Sequence, residues 1–193
     1  GWQNFPLRRA LEEKFSRPAA IENDGIAAAY GEWKFGAGQG LDHLVYVTVS
    51  TGIGGGVVAD GRLLRGRRGM AGHVGHMMIA ENGPRCLCGG SGCFEVLASG
   101  SALNLAARAK GFDGAQAAVA AARGGDAAAL AVLDREADLL GYGFASLLHL
   151  YSPQKLIMGG GVAQALDLMA ARIKSRIQEL ALPPFRDVEL VLD

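Results

Sequence analysis

Three features of this 193-residue chain predict an α/β fold built on a mixed sheet. Apolar β-branched runs such as HLVYVTVS (43–50) alternate with helical stretches, an alanine-rich block fills residues 101–150, and glycine clusters mark the boundaries between them. The segment PLRRALEEKFS (6–16) sets Leu7, Leu11 and Phe15 on one helical face, with Pro6 suited to the first turn. AAIEND (19–24) reads as a short strand entering a second helix, NDGIAAAYGEWKF, which Asn23 or Asp24 caps and GAGQG ends. HLVYVTVS and GGVVAD (55–60) read as strands joined by the tight turn TGIGG, and Asp60-Gly61 opens another hairpin. Residues 101–150 read as three helices broken at KGFDG (110–114) and RGGD (123–126). KLIMGGGVAQAL (155–166) is then a buried strand, a glycine turn and a helix, and DVELVLD (187–193) is a last strand.

Composition narrows the partners. With 50% hydrophobic and 20% charged residues, the chain buries a core as one domain or as most of a larger one. Nineteen basic residues balance nineteen acidic ones, so no electrostatic footprint for nucleic acid is present, and no apolar run reaches the length of a membrane span. A small molecule is the expected partner. The chain starts at Gly1 with no basic leader or signal-like stretch, which reads as a fragment. Its three cysteines argue against a disulfide framework and for a reducing cytoplasm.

All three cysteines, Cys86, Cys88 and Cys93, stand in one glycine-laced loop, GPRCLCGGSGCFE (83–95). They supply three thiolates, and His76, ten residues before Cys86, is the candidate fourth ligand. A Cys3His set suits Zn²⁺ and fills all four tetrahedral positions, so the ion would be structural. Gly89, Gly90 and Gly92 would let the loop wrap it at positive φ. The alternatives are three unrelated free thiols or a redox pair, although Cys-x-Cys lacks the spacing of thiol oxidoreductases.

GHMMIAENGPRCLCGGSGCFE (75–95) resembles the signature of the ROK family of sugar kinases and sugar-responsive repressors, in which Gly-His precedes Cys-x-Cys-Gly-x-x-Gly-Cys-x-Glu. NDGIAAAYGEWKFGAG, VTVSTGIGGGVV, GRLLRGRRGMAGHVGH and LIMGGGVA follow the order of that family's middle and C-terminal parts. AGHVGHM followed by the cysteine loop looks most like the bacterial N-acetylmannosamine kinases. The resemblance implies an actin-like (ribonuclease H-like) ATPase fold, with residues 1–22 ending an N-terminal lobe and 23–193 forming most of the C-terminal lobe with its zinc loop, 76–95. It also implies ATP and Mg²⁺ as cofactors beside structural Zn²⁺, and a homodimer. Two family features are absent, an N-terminal Asp-x-Gly-Gly-Thr phosphate loop and a closing helix after Asp193.

By the same resemblance, Asp24 matches the catalytic base for the attacking sugar hydroxyl, and Asn23 holds sugar hydroxyls; the bland reading is a pair of helix caps. STGIGGG (50–56) resembles a phosphate loop, with Thr51, Gly52 and Gly54 near the phosphates, although hairpin turns also want glycine. Gly159, Gly160 and Gly161 resemble the loop passing close to adenosine, or form a plain strand-to-helix turn. His76 is expected to ligate zinc through one nitrogen and face the sugar with the other, and Glu95 to accept bonds from sugar hydroxyls. His73 stands where most relatives carry Glu. An imidazole there can donate to the carbonyl of a 2-acetamido group, which favours N-acetylmannosamine over glucose, with a glucokinase or an N-acetylglucosamine kinase of the same family as the alternatives. His73 could instead contact nothing, or compete with His76 for zinc. The intact phosphate loop favours a kinase over a repressor.

Overall fold

A computed structural model describes residues 3–192; Gly1, Trp2 and Asp193, the last assigned by the sequence to the final strand, lie outside the described residues. Strands β1 (Leu44–Val49), β2 (Ile53–Ala59) and β3 (Arg62–Leu63) are antiparallel neighbours, and β4 (Lys155–Gly159) and β5 (Glu189–Leu192) run parallel to β1. The five form one mixed sheet in the order β3-β2-β1-β4-β5. The helices are α1 (Leu7–Phe15), α2 (Asp24–Phe35), α3 (Phe94–Ala98), α4 (Gly100–Ala109), α5 (Ala115–Arg123), α6 (Ala127–Tyr151) and α7 (Leu166–Leu180). Helices α4, α5 and α6 break where the glycine-containing segments predicted.

Period-two alternation in β1 splits the core between the two faces of the sheet. Val45, Val47 and Val49 face the larger cluster with α3 to α7, while Leu44 and Tyr46 pack with Ala29 of α2. The sheet is thus a middle layer. Helix α2 lies unusually close to it, because a Cβ on Gly25 would stand 2.6 Å from Gly55 N and one on Gly56 would stand 2.5 Å from the Ala29 Cβ. Ile53 and Gly54, expected in a turn, therefore belong to β2 with Gly55 and Gly56. Their job is close approach, and the turn itself shrinks to Ser50–Gly52.

The expected strand at 19–23 does not form. A strand needs a ladder, and the sheet ends at β3 and β5 with no partner for this segment among the described residues. Glu22 pairs with Arg65 instead. In α1, Leu7 and Leu11 are half-buried and Phe15 is 62% exposed, so the amphipathic face is present but little covered.

Helix α6 is the hub. A Cβ on Gly141 would stand 2.6 Å from Arg176 Cβ of α7, and Gly143 lets the Phe94 ring lie against the α6 backbone. Phe94 is fully buried and meets Phe144 edge-on at 6.2 Å, which fixes α3. The same helix buries Glu136 to 1% exposure, with no hydrogen-bond partner for either carboxylate oxygen among the described residues. Burial pushes its pKa up to about 8, with the nearby Arg135 charge pulling weakly the other way.

A carboxyl whose folded pKa is raised stabilises the fold fully below its unfolded pKa of 4.5, and that contribution is lost as pH rises toward 8. Stability should fall between those values by about 4 kcal/mol from this group. Thermal melts of wild type and Glu136→Gln from pH 5 to pH 8 should show a downward slope only in the wild type. Parallel slopes would mean that Glu136 is ionised or partnered.

Candidate functional site

The N-terminus of α2 opens on a cleft of about 230 Å³. Asn23 caps the helix, its side-chain oxygen accepting from Ile26 N at 3.2 Å. This leaves its amide nitrogen free to donate outward. Asp24 is the first helical residue, and one of its oxygens accepts from Gly25 N at 2.8 Å. Capping is therefore real for Asn23, while Asp24 is held by one oxygen and lines the cleft with the other side chains. Asn23, Asp24, His73, His76 and Glu95, scattered over 73 positions of sequence (23–95), all line this one cleft.

Glu95 arrives by a different route. The burial of Phe94 anchors α3, and Glu95, in its first turn, accepts from Ile53 N at 3.0 Å. A Cβ on Gly52 would collide with the same carboxylate, so glycine there lets helix and turn meet. Glu95 thus joins the β1–β2 turn to the cysteine loop. His73 lies nearly parallel to His76, with centroids 6.1 Å apart and planes 7° apart.

His76, Cys86, Cys88 and Cys93 bring one ligand atom each within 4.8 Å of one another, and His73 is not in the cluster. Cys86 Sγ is 3.7 Å from His76 Nδ1, and Cys88 Sγ is 3.6 Å from Cys93 Sγ. A tetrahedral Zn²⁺ with ordinary bond lengths separates its ligand atoms by about 3.5 to 3.8 Å, so the donor set fits. Burial pushes the Cys93 thiol up to about 12, with the neighbouring sulfurs adding to it, while the Gly90 N–H holds Cys88 below its usual value. A divalent cation would reverse the first effect. The loop is pinned by bridges Met78–Cys93 and Arg85–Ser91. Gly89 and Gly92 take positive φ as expected, but Gly90 does not. A Cβ on Gly90 would stand at ordinary contact distance from the Cys88 and Cys93 sulfurs, 3.5 and 3.6 Å.

A larger cleft of about 610 Å³ lies on the other side of the turn, between α4–α5 and the residues following β4. Thr51 and Gly161 line it, whereas Gly52 and Gly54 line the Asp24 cleft. The Ser50–Gly52 turn therefore separates the two clefts. The N–H groups of Thr51 and Gly52 donate to no protein acceptor among the described residues, while those of Gly100 and Ser101 donate to the Ser50 and Thr51 carbonyls. Gly159 and Gly160 do not reach the cleft lining. Gly159 ends β4 against Tyr46, with a Cβ 2.8 Å from its hydroxyl, and Gly160 turns at φ +103° against the Val49 carbonyl.

Sequence reasoning missed Thr48 and Gly72 on the small cleft, and Asn104, Arg123 and Gln164 on the large one. The polar Thr48 within an apolar strand was a usable signal. The others come from loop and helix ends that only the fold brings together.

A mixed sheet thus carries a carboxylate-lined cleft and an open cleft on either side of one glycine turn, beside a four-residue Cys/His cluster. The ROK family profile matches residues 1–191, and the chain belongs to that family. It is 39% identical to a glucokinase of Halalkalibacterium halodurans, over 97% of this chain and 62% of the relative, and 38% identical to an N-acetylmannosamine kinase of Shigella boydii, over 88% and 58%. The structure superposes with a TM-score of 0.87 on a ROK family glucokinase from Streptomyces griseus solved with glucose and AMPPNP. That pair is 34% identical over 99% of this chain and 68% of the other. The actin-like fold expected from the resemblance is thus the fold of its structural neighbours. Xylose repressors are also among the relatives. The chain spans less than two thirds of the length of the curated relatives it matches.

Proposed function

We propose that the intact protein is an ATP-dependent kinase that phosphorylates the 6-hydroxyl of an N-acylhexosamine, N-acetylmannosamine in particular. The observation carrying this reading is the convergence of Asn23, Asp24, His73, His76 and Glu95 on one cleft, divided from a larger one only by the turn that holds Thr51 and Gly52. A sugar in the small cleft and a triphosphate reaching in from the large one would meet at that turn. Phosphoryl transfer depends mainly on positioning and electrostatics. Asp24 orients the attacking hydroxyl and takes its proton; Asn23 and Glu95 hold other hydroxyls; the unpaired N–H groups of Thr51 and Gly52 receive phosphate oxygens. Mg²⁺, implied by the reaction, would neutralise phosphate charge.

His76, Cys86, Cys88 and Cys93 would hold structural Zn²⁺, which orients the His76 ring beside the sugar and fixes the loop leading to Glu95. Residues 1–22 would end an N-terminal lobe and 23–193 make up most of the C-terminal one. Unpaired donors at the phosphate turn favour a kinase over a sugar-responsive repressor.

His73 supports the acetamido sugar, since it lines the cleft and can donate to a carbonyl. A second reading, glucokinase, is favoured by the 39% identity to the Halalkalibacterium enzyme. A coupled ADP-release assay on the full-length protein with N-acetylmannosamine, N-acetylglucosamine and glucose separates them. Highest kcat/KM with N-acetylmannosamine is expected, and higher kcat/KM with glucose would overturn the substrate. His73→Glu sets an acceptor against the acetamido carbonyl, costing about 1 to 3 kcal/mol, and should move the kcat/KM ratio of N-acetylmannosamine to glucose about 5- to 150-fold toward glucose. An unchanged ratio would remove His73 from reading the 2-substituent.

A further inference from the structure

The larger cleft has two walls from different parts of the chain, and one side chain bridges them. Helix α5 packs on α4 and α6, while the opposite wall comes from the 3-10 turn Gly161–Ala165, which runs on into α7. Arg123, the last residue of α5, crosses between them. Its Nη2 donates to the Gln164 carbonyl and to Asp167 Oδ1, both at 3.0 Å, and its Nε donates to Asp167 Oδ2 at 3.3 Å. The guanidinium is therefore fixed in plane by three bonds, all to the far wall. Its Nη1 group has no protein acceptor among the described residues.

We propose that Arg123 is the nucleoside-selecting residue of the larger cleft, closing over the base and ribose of the phosphate donor. The inference rests on the kinase reading and deepens it. If the triphosphate ends at the Thr51–Gly52 turn beside the Asp24 cleft, the opposite end of the donor falls between α5 and the Gly161–Ala165 turn. Both walls contribute apolar side chains, Leu103 and Val119 from one and Val162 and Ala165 from the other, with Asn104, Gln116 and Gln164 among them, which suits a flat heterocycle with polar edges. Arg123 stands at this end with its charge already matched by Asp167. A neutralised guanidinium is a poor clamp for phosphate but a good donor to ribose hydroxyls, and its fixed plane can stack on a base. Arg123 therefore discriminates a nucleoside triphosphate from a bare polyphosphate, which offers the same phosphate chemistry without the nucleoside.

Titration calorimetry on the full-length protein with ATP, adenosine and inorganic tripolyphosphate tests this. Arg123→Ala should weaken ATP and adenosine about tenfold and leave tripolyphosphate and sugar affinity within about twofold, with Arg123→Lys intermediate. Asp167→Asn should free the guanidinium charge and tighten tripolyphosphate relative to ATP. An exposed ion pair contributes little to stability, so the variants should melt with the wild type. Equal weakening of ATP and tripolyphosphate would make Arg123 a phosphate contact or a structural strut and overturn the proposal, as would unchanged ATP affinity in Arg123→Ala. A wild type that binds neither ATP nor adenosine would overturn the nucleotide reading of the cleft itself, a result distinct from failure of the Arg123 assignment alone.

Discussion

Asp24→Asn is expected to lower kcat about 10²- to 10⁴-fold while sugar affinity stays nearly unchanged. The substitution keeps shape and the acceptor that Gly25 N–H uses, so α2 and its Asn23 cap should remain as they are. What it removes is the capacity to take the proton from the attacking hydroxyl. An interaction made only on the way to the transition state shows as equal losses in kcat and kcat/KM. Rapid-quench phosphoryl transfer and equilibrium sugar binding, measured on the same preparation, separate the two effects. Full activity in the asparagine variant would move the base elsewhere, and a proportionate loss of sugar binding would make Asp24 a binding group.

The second large effect is expected in the cysteine loop. Elemental analysis of protein purified without chelator should give one zinc per chain, and Cys93→Ser should abolish it. Cys93 is 1% exposed, pairs across a bridge with Met78 and immediately precedes α3. Three thiolates within 4.8 Å of one another and of an imidazole would repel without a cation between them, so the ion's binding energy belongs to the folding of the loop. Losing the ion should expose residues 76–95 to rapid amide exchange and, through Glu95, weaken sugar binding about 10- to 100-fold. Protein without zinc, or a serine variant with native exchange in the loop, would refute the site. Native sugar affinity in that variant would show that loop and sugar are uncoupled.

The sequence alone was enough for the α/β class and the breaks between α4, α5 and α6, and it singled out the four Cys/His residues that cluster and five that line the small cleft. These are local signals or a signature, and glycine, proline and apolar period act over a few neighbours. It misjudged features that depend on what lies across the fold. Ile53 and Gly54 read locally as turn, but α2 needs bare backbone beneath Gly25 and Ala29, so both are strand together with Gly55 and Gly56. Residues 19–23 have strand-like composition but no ladder to join. Gly159 and Gly160 read as a cofactor loop or a plain turn, and what the sequence does not show is that Tyr46 and the Val49 backbone press on them. Arg123 gave no sign in an alanine-rich helix, since its partners lie more than forty residues away on another wall. Residue type and spacing thus decided which chemistry the chain carries. Only close packing across the sheet decided which side of one short turn each group serves, because non-local contacts are fixed by steric fit and not by sequence neighbours.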